Sequence, residues 1–360
     1  MSWVIVVLAL LALAWLFTVY YLRGENLSRY NALPELGISP PGEPSAEHLA
    51  VVKLVGDMFK SIGIKGSPGS RVAKMRAVLD SLGDDADLNG IALRPINAGG
   101  VPAEWIIADG ADMDRRLLYI HGGAWMMGSP KSHRRITTKL SRITGAAVLA
   151  IDYRLMPEHP RLACVEDCQT AYRWVLENGP QGRAPVKQLF VAGDSAGGNL
   201  TLVTIAWARD AGLRRADAVV AIAPATDGTL SSPSLQSNLP TDHMIGPMFG
   251  HLAKIPSWIL LWAFWLKGFV RPSDPRVSPA HHDLSGLPPT LVHASEAEML
   301  LDDARRYVIK ATAAGSPTTL ETWPHMVHVW HFFEPTLPEA KDAFEHIASF
   351  IEQCAPRRGA

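Results

Sequence analysis

The feature that most constrains the fold is a serine between two glycines, placed where a strand-like run meets a helix-like run. Residues 187–212 read KQLFVAGDSAGGNLTLVTIAWARDAG, with the motif GDSAG at residues 193–197. A tight strand-to-helix turn needs unusual backbone angles, and glycines leave room that side chains would fill. The alternative is an ordinary glycine-rich turn, but the strand before the motif and the helix after it favour a nucleophile elbow. We therefore predict that Ser195 is a nucleophile.

Short apolar runs of strand type alternate with helical patterns from residue 89 onwards. Strands are predicted at residues 104–108, 117–120, 147–151, 188–192, 218–223, 290–293 and 318–322. Helices are predicted at residues 132–144, 163–177, 198–210, 302–314 and 338–353. This alternation predicts an α/β fold in which helices cover both faces of a mostly parallel sheet.

Two amphipathic helices are predicted before this alternating region. A Pro/Gly-rich connector, residues 31–44, leads to a helix with Ser45 as its N-cap, which ends at Gly63. A second helix is predicted from Ser70 to Gly83. Serine at the start and glycine at the end are typical helix boundaries. These helices carry an apolar stripe but no catalytic residue types, which indicates a cap or lid.

The chain divides into an anchor, a core in two parts, and a cap in two parts. The interval 227–272 interrupts the alternation: it is rich in Ser, Pro and Met, and then reads WILLWAFWLKGFV. The predicted units are the anchor (1–23), the connector and cap helices (24–88), the first part of the core (89–226), the cap insertion (227–272) and the second part of the core (273–360).

The first twenty-odd residues form an apolar stretch. Residues 3–22 read WVIVVLALLALAWLFTVYYL, in which Thr18 is the only polar residue without an aromatic ring. At about 1.5 Å per residue such a helix spans about 30 Å, which matches the hydrocarbon core of a bilayer. A cleaved signal peptide and a buried helix are the alternatives. Because nothing basic precedes the stretch, we predict a retained single-pass transmembrane helix.

The sequence does not decide on which side of the membrane the rest of the chain lies. Arg23 and Arg29 follow the span and favour the cytoplasmic side. Asn26 begins the triplet Asn-Leu-Ser, a potential glycosylation site that would matter only in a lumenal setting.

A small-residue loop follows the strand RRLLYI, with HGGAW at residues 121–125. A turn of small residues can point backbone N–H groups at one spot, which is what a developing oxyanion needs. His121 is interpreted as a structural residue that fixes this loop rather than as a general base.

The motifs HGGAW, DYRLMPEHP, GDSAGG and DPRVSP, followed by an acid and a histidine, resemble the hormone-sensitive-lipase family of α/β-hydrolases. Bacterial esterases and membrane-anchored arylacetamide deacetylases are the nearest types, and the resemblance covers residues 85–353. It implies an α/β-hydrolase fold, cleavage of carboxylic esters, and an oxyanion hole formed by the N–H groups of Gly123, Ala124 and Ala196. The family usually has glycine where this chain has Ala124, which keeps its N–H but narrows the pocket.

The acid of the triad is assigned through the same resemblance. Residues 295–303, SEAEMLLDD, match the family's acid-bearing loop, and the matching position is Glu298, where the family usually has aspartate. The order serine, acid, histidine agrees with the fold. Asp302 is the leading alternative, although Asp302 and Asp303 also look like first-turn residues of a helix.

The base is expected after the last strand, where residues 323–331 read WPHMVHVWH. Alignment on the methionine places the catalytic histidine at His328. His325 and His331 are the alternatives, and His331 looks like part of the following element.

These residues predict a serine hydrolase that acts on esters with short to medium acyl chains or on apolar, lipid-like esters. An amidase or deacetylase with the same triad is the alternative, and a non-catalytic ligand-binding protein ranks below it. Lys+Arg 34 against Asp+Glu 35 leaves no sequence-wide field for nucleic acid. No metal or cofactor is expected, and the expected partners are an ester substrate and membrane lipid. The sequence does not indicate an oligomeric state.

Three tryptophans of the cap insertion share one face of a predicted helix. Trp258, Trp262 and Trp265 are four and three residues apart, so their side chains lie on one side. This face either packs within the cap or dips into a membrane interface.

Overall fold

The computed structural model describes residues 2–31, 43–62 and 68–357. The strands are β1 (Ile91–Ala98), β2 (Val101–Ala108), β3 (Asp112–Ile120), β4 (Ala146–Ile151), β5 (Asn178–Gly179), β6 (Gly182–Arg183), β7 (Gln188–Asp194), β8 (Ala218–Ile222), β9 (Thr290–Ser295) and β10 (Thr318–Trp323). Eight of them form one sheet in the order β1-β2-β4-β3-β7-β8-β9-β10, whereas β5 and β6 form a small hairpin. β2 runs antiparallel to β1 and β4. The other strands of the sheet, β4, β3, β7, β8, β9 and β10 in sheet order, are mutually parallel.

Helices cover both faces of this sheet. The helices of the described residues are α1 (Ser2–Leu16), α2 (Ala46–Ile62), α3 (Pro68–Ser81), α4 (Arg134–Thr144), α5 (Arg161–Glu177), α6 (Ala196–Asp210), α7 (Ser234–Ser237), α8 (Ile245–Ala253), α9 (Ser257–Gly268), α10 (Leu301–Ala313) and α11 (Pro338–Cys354). α4 and α11 pack on one face, and α5, α6 and α10 pack on the other. The predicted α/β-hydrolase fold is confirmed.

The continuous apolar runs of the central strands follow from burial on both faces. In β4 every residue is buried. Leu149 and Ile151 join the core beneath α5 and α6, whereas Val148 and Ala150 join the core beneath α4 and α11. Side chains alternate between faces along a strand, so a strand covered on both sides must be apolar at every position.

The cap helices lie over the carboxyl ends of the parallel strands. Ser45 caps α2, since its Oγ accepts the His48 N–H at 3.1 Å. α2 buries Val51 and Val55 against the core. α3 begins at Pro68, two residues before the predicted start, and Gly63, the predicted end of the first helix, lies outside the described residues, as does most of the connector.

The N-terminal helix projects its apolar side chains away from the rest of the chain. By length and composition the helical segment Trp3–Tyr30 is able to cross a membrane, a property that signal sequences near an N-terminus share. The π-helical segment Phe17–Leu22 follows α1 directly and packs on α9. The Phe17 ring lies 5.3 Å from Trp262, and Leu22 is fully buried. The segment predicted as an anchor is therefore attached to the cap by its final turn.

Candidate active site

Ser195 occupies the turn between β7 and α6. Its backbone angles are φ 53° and ψ −116°, and its N–H donates to the Ile222 carbonyl at 2.7 Å. A side chain at Gly193 or Gly197 would clash with the carbonyl of Ile120 on the neighbouring strand. The glycines are therefore required by close backbone packing, and the serine is held at the top of the sheet in a conformation that L-residues rarely adopt.

The structure brings Glu298 and His328 together, and His328 lines the same cavity as Ser195. The Oε2 atom of Glu298 lies 2.6 Å from Nδ1 of His328. Its Oε1 atom accepts the Ser295 N–H at 2.8 Å, and the carboxylate is fully buried. With both carboxylate oxygens occupied, the glutamate fixes the imidazole so that Nδ1 carries the proton toward Glu298 and Nε2 is left for another partner.

The alternative acids have other partners. Asp302 accepts the Ser234 N–H at 2.9 Å and pairs with Arg305 at 3.3 Å, which ties α7 to α10. Asp303 is buried and accepts the N–H groups of Thr226 and Asp227. Both aspartates lie in the first turn of α10, as the sequence indicated, and among the described contacts neither bonds to a histidine.

The alternative histidines also lie elsewhere. His325 is exposed in the loop after β10. His331 belongs to the short 3-10 helix Trp330–Phe333, where its Nε2 lies 3.2 Å from Nδ1 of His293. Burial, and secondarily the neighbouring His293, holds the pKa of His331 well below its usual range. Of the three candidates, His328 is the one that the structure pairs with the buried glutamate.

Charges around the pair determine its proton affinity. Burial by itself lowers the pKa of His328, but the hydrogen bond and negative charge of Glu298 outweigh burial, so the pKa lies above the ordinary 6.5. Burial raises the pKa of Glu298. The imidazole is thus set up to accept a proton readily and to be stabilised once charged.

The loop after β3 presents backbone N–H groups near Ser195. Gly123 and Ala124 both have positive φ, 112° and 54°. In the described part of the chain, neither of their N–H groups nor that of Ala196 has an internal acceptor. Unpaired donors at the rim of a cavity are what an oxyanion requires.

His121 and Asp194 hold this loop from beneath. The His121 ring stacks on Tyr153 at 4.2 Å, and burial lowers its pKa to about 3, so the ring stays neutral. Asp194 accepts the Gly122 N–H at 3.0 Å and the Tyr119 hydroxyl at 2.6 Å. The structural interpretation of His121 agrees with these contacts. The bracing role of Asp194 was not foreseen, although its place inside the GDSAG motif was a signal.

Asp242 is a second residue that sequence reasoning missed. It is buried, its Oδ2 accepts the Met299 N–H at 2.8 Å, and its Oδ1 accepts the N–H groups that begin α8. It therefore joins the cap insertion to the loop that carries Glu298. The available signal was that Asp242 is the only acidic residue in the interval 228–273.

Ser195 and His328 line a single large cavity of about 2060 Å³. Ligand pockets commonly measure about 300–1,000 Å³, so this cavity is roughly twice as large as the upper end of that range. Apolar side chains of the cap form most of its remaining wall, including Met75, Leu252 and Leu260. The site is therefore suited to an apolar ligand of considerable size.

The three tryptophans of α9 have different surroundings. Trp262 donates from Nε1 to the Thr18 hydroxyl at 2.8 Å, and Trp265 lies edge-on to Phe17 at 5.0 Å. Trp258 is 56% exposed. The shared face thus packs on the N-terminal helix through two tryptophans and leaves the third in the open.

Comparisons with known proteins point to esterases. The α/β-hydrolase fold profile matches residues 117–332. An acetyl-hydrolase of Streptomyces hygroscopicus is 39% identical over 264 residues, which are 71% of this chain and 81% of that protein. The carboxylesterase/phospholipase LipF of Mycobacterium tuberculosis is 37% identical over 259 residues, 71% of this chain and 65% of LipF.

Solved structures agree with these relatives. An esterase of the bacterial hormone-sensitive lipase family superposes with a TM-score of 0.74 at 34% identity, covering 87% of this chain and 99% of that one. A hormone-sensitive lipase from a metagenome library gives 0.72 at 30% identity, with the same coverage. The match to the fold profile begins at residue 117, so it does not include the N-terminal helix.

Proposed function

The chain belongs to the α/β-hydrolase fold family and is a carboxylic ester hydrolase, and from this premise we propose that it works through an acyl-enzyme on Ser195. The observation that carries the proposal is the 2.6 Å contact between the buried Glu298 carboxylate and Nδ1 of His328, a histidine that lines the same cavity as Ser195 on its strained turn. A nucleophile, a base and a group that orients the base are the parts that acyl transfer needs.

Each residue has a distinct step in the proposed reaction. Nε2 of His328 takes the Ser195 proton as Oγ attacks the acyl carbon, and Glu298 stabilises the imidazolium that forms. The N–H groups of Gly123, Ala124 and Ala196 bind the oxyanion. When the C–O bond breaks, His328 returns the proton to the leaving alcohol, and a water activated by the same histidine then releases the acid from the serine.

The substrates proposed are esters with short to medium acyl chains or apolar, lipid-like esters. The apolar cap residues around the cavity support this class. The relative LipF is named a carboxylesterase/phospholipase, a name that includes a lipid ester among its substrates. The preferred length of the acyl chain depends on how the cap encloses that chain.

We further propose that the N-terminal helix is kept as a single-pass membrane anchor. Leu22 is fully buried, and Phe17 packs on Trp262 and Trp265. Removal of this segment as a signal peptide would expose the cap surface beneath it. These contacts therefore support retention rather than cleavage.

A series of p-nitrophenyl esters of increasing acyl length tests the catalytic proposal. The wild type should hydrolyse the esters, and Ser195→Ala should lose about 10⁶ in kcat while keeping its folded structure, since a triad serine is worth that much elsewhere. Ser349→Ala, an exposed serine on α11, is the matched control and should retain full activity. A matching series of anilides measures amidase activity. More than a few per cent of activity in purified Ser195→Ala contradicts the assignment.

A further inference from the structure

One side of α9 exposes large apolar side chains to the surroundings. The exposed fractions are 56% for Trp258, 40% for Ile259, 57% for Leu266 and 76% for Phe269. These four residues are called here the α9 face: Ile259 and Leu266 lie opposite the buried Leu260 and Leu261 on the helix, Trp258 flanks them, and Phe269 is the C-cap residue that follows. Several large apolar side chains exposed on one short segment are unusual in water and mark a site of interaction.

The α9 face is continuous with the N-terminal apolar helix. Trp262 and Trp265 on α9 contact Phe17, and Arg23 donates to the Ser257 hydroxyl at 3.2 Å. The first residue of α9 and two of its tryptophans therefore contact the segment that joins the apolar helix to the rest of the chain. Whatever environment surrounds the exposed side chains of α1, water or lipid, is therefore also adjacent to the α9 face.

Within the sequence interval that contains α9, the charged residues are all basic. The interval 243–273 contains Lys254, Lys267 and Arg271 but no Asp or Glu. Lys254 and Lys267, one on either side of α9's apolar residues in the sequence, are both exposed. Apolar side chains combined with lysine and arginine are typical of helices that lie in the interface of an anionic bilayer.

The cavity that contains Ser195 extends to this same region. Its wall includes Val19 of the N-terminal segment, together with Phe264 and Lys267 of α9. One continuous space of about 2060 Å³ thus joins the nucleophile to the junction between α9 and the N-terminal helix. An ester that enters at this junction can reach Ser195 through the same space.

We propose that the α9 face is a membrane-docking surface that seats on an anionic lipid bilayer and admits long-chain lipid esters from the bilayer to Ser195. The proposal rests on the proposed esterase function and deepens it by naming the substrate class. Docking brings the mouth of the cavity to the depth at which the acyl chains lie. Burial of the four side chains in lipid removes them from water, and the lysines contact the anionic headgroups.

Activity on two esters tests the proposal. Full-length protein is reconstituted in phosphatidylcholine–phosphatidylglycerol vesicles that contain 4-methylumbelliferyl oleate, and p-nitrophenyl butyrate is assayed in parallel. The combined variant Trp258→Gln/Leu266→Gln/Phe269→Asn should lose at least about tenfold on the oleate, because its apolar contact with lipid is removed. Its rate on the butyrate should not change, since none of these side chains lines the cavity.

A matched control removes exposed apolar side chains at the far edge of the sheet. Leu88→Gln/Ile96→Gln, whose parent side chains are 41% and 40% exposed, should leave both rates unchanged. No loss on the oleate in the α9 variant, or an equal loss on both esters, overturns the docking proposal. Failure of the wild type to hydrolyse the butyrate contradicts the proposed function instead.

A depth measurement tests docking independently of catalysis. Cys164 and Cys168 are buried, so a Cys354→Ser background allows an NBD label to be placed on Leu266→Cys or, as the control, on Ile96→Cys. Doxyl-labelled lipid in the vesicles should quench the label at position 266 several-fold more than the label at position 96. Equal quenching at the two positions overturns the proposal.

Discussion

Glu298 occupies a position where its family usually has aspartate, and its surroundings show how the longer side chain is held. One carboxylate oxygen accepts the Ser295 N–H and the other meets His328. The side chain is completely buried, so its orientation does not depend on solvent. A buried carboxylate with two fixed partners orients an imidazole well, because neither oxygen is free to turn away.

Glu298→Gln should therefore lower kcat by roughly 10³–10⁴, by analogy with the effect of a misoriented histidine tautomer. The pH profile gives a second readout. The base must be neutral, so wild-type activity is present above the pKa of His328 and is lost as the pH falls through it. Because Glu298 raises that pKa above 6.5, the acidic limb should lie above 6.5 in the wild type and move to lower pH in the variant.

The control for this prediction is Asp302→Asn, which disturbs the contact with Ser234 but leaves the histidine untouched. Its loss of kcat should be much smaller than that of Glu298→Gln, and the acidic limb of its pH profile should stay at the wild-type position. If Asp302→Asn proves the more damaging change, the acid has to be reassigned.

The three histidines near the end of the chain should behave differently when each is replaced. His328→Ala should abolish activity to the same degree as loss of the serine. His325→Ala should stay active. His331 packs against Trp330 and Phe344, so His331→Ala should lower stability by roughly 2–5 kcal/mol, as large-to-small core changes do, without loss of activity per folded molecule. Kinetics combined with a thermal melt separate these effects, and an active His328→Ala would refute the assignment.

At the scale of elements, the loop after β3 has an unusual residue at a position of positive φ. Ala124 adopts φ 54°, a conformation that glycine enters without strain. The N–H is the same in both residues, so Ala124→Gly should keep the rate on small esters within about tenfold, whereas a lost oxyanion donor costs about 10²–10³. Loss of the Cβ should widen acceptance of bulky alcohol groups.

Ala124→Val is the informative comparison, because a β-branched residue is disfavoured at positive φ. It should lower both activity and thermal stability. A collapse of activity on all esters in Ala124→Gly would mean that the alanine methyl group itself is needed for the hole.

Strands that are buried on both faces were predictable, whereas β1, one of the two edge strands, was not. The apolar runs later found in β4, β7 and β8 are continuous, so their pattern is unambiguous. β1 contains Pro95 and is largely exposed, and it pairs on one side only. Proline is tolerated at a sheet edge because the missing N–H needs no partner there, so sequence rules for strands miss such a segment.

The residues of the candidate site also differ in how far the sequence alone could predict them. The prediction of Ser195 rests on local sequence, because an elbow imposes its own glycines. The choice of Glu298 over Asp302 needed either a family resemblance or the fold, since all the carboxylates lie within one short segment. Asp242 and the extent of the cavity depend on how a distant insertion folds over the sheet, and no local pattern encodes that.

At the scale of the whole molecule, we propose that one end of the chain lies in a membrane and that the catalytic residues lie beneath a cap attached to that end. Full-length protein should remain in the membrane pellet after carbonate extraction, since α1 is apolar throughout and exposed. Deletion of residues 2–15 should give a soluble enzyme that still hydrolyses p-nitrophenyl butyrate.

The shorter deletion is chosen because Phe17 and Leu22 pack on the cap. Deletion through residue 23 removes these contacts and should lower the melting temperature. Release of the full-length chain by carbonate would contradict the anchor.

The central claim is that Ser195 is the nucleophile of this esterase, and mass spectrometry after labelling with a fluorophosphonate tests it most directly. The account predicts one phosphonyl adduct per chain, located by peptide mapping on Ser195, with ester hydrolysis lost in proportion to labelling. Ser195→Ala should take up no label. An adduct on another residue, or full ester hydrolysis by a chain labelled at Ser195, would contradict the account.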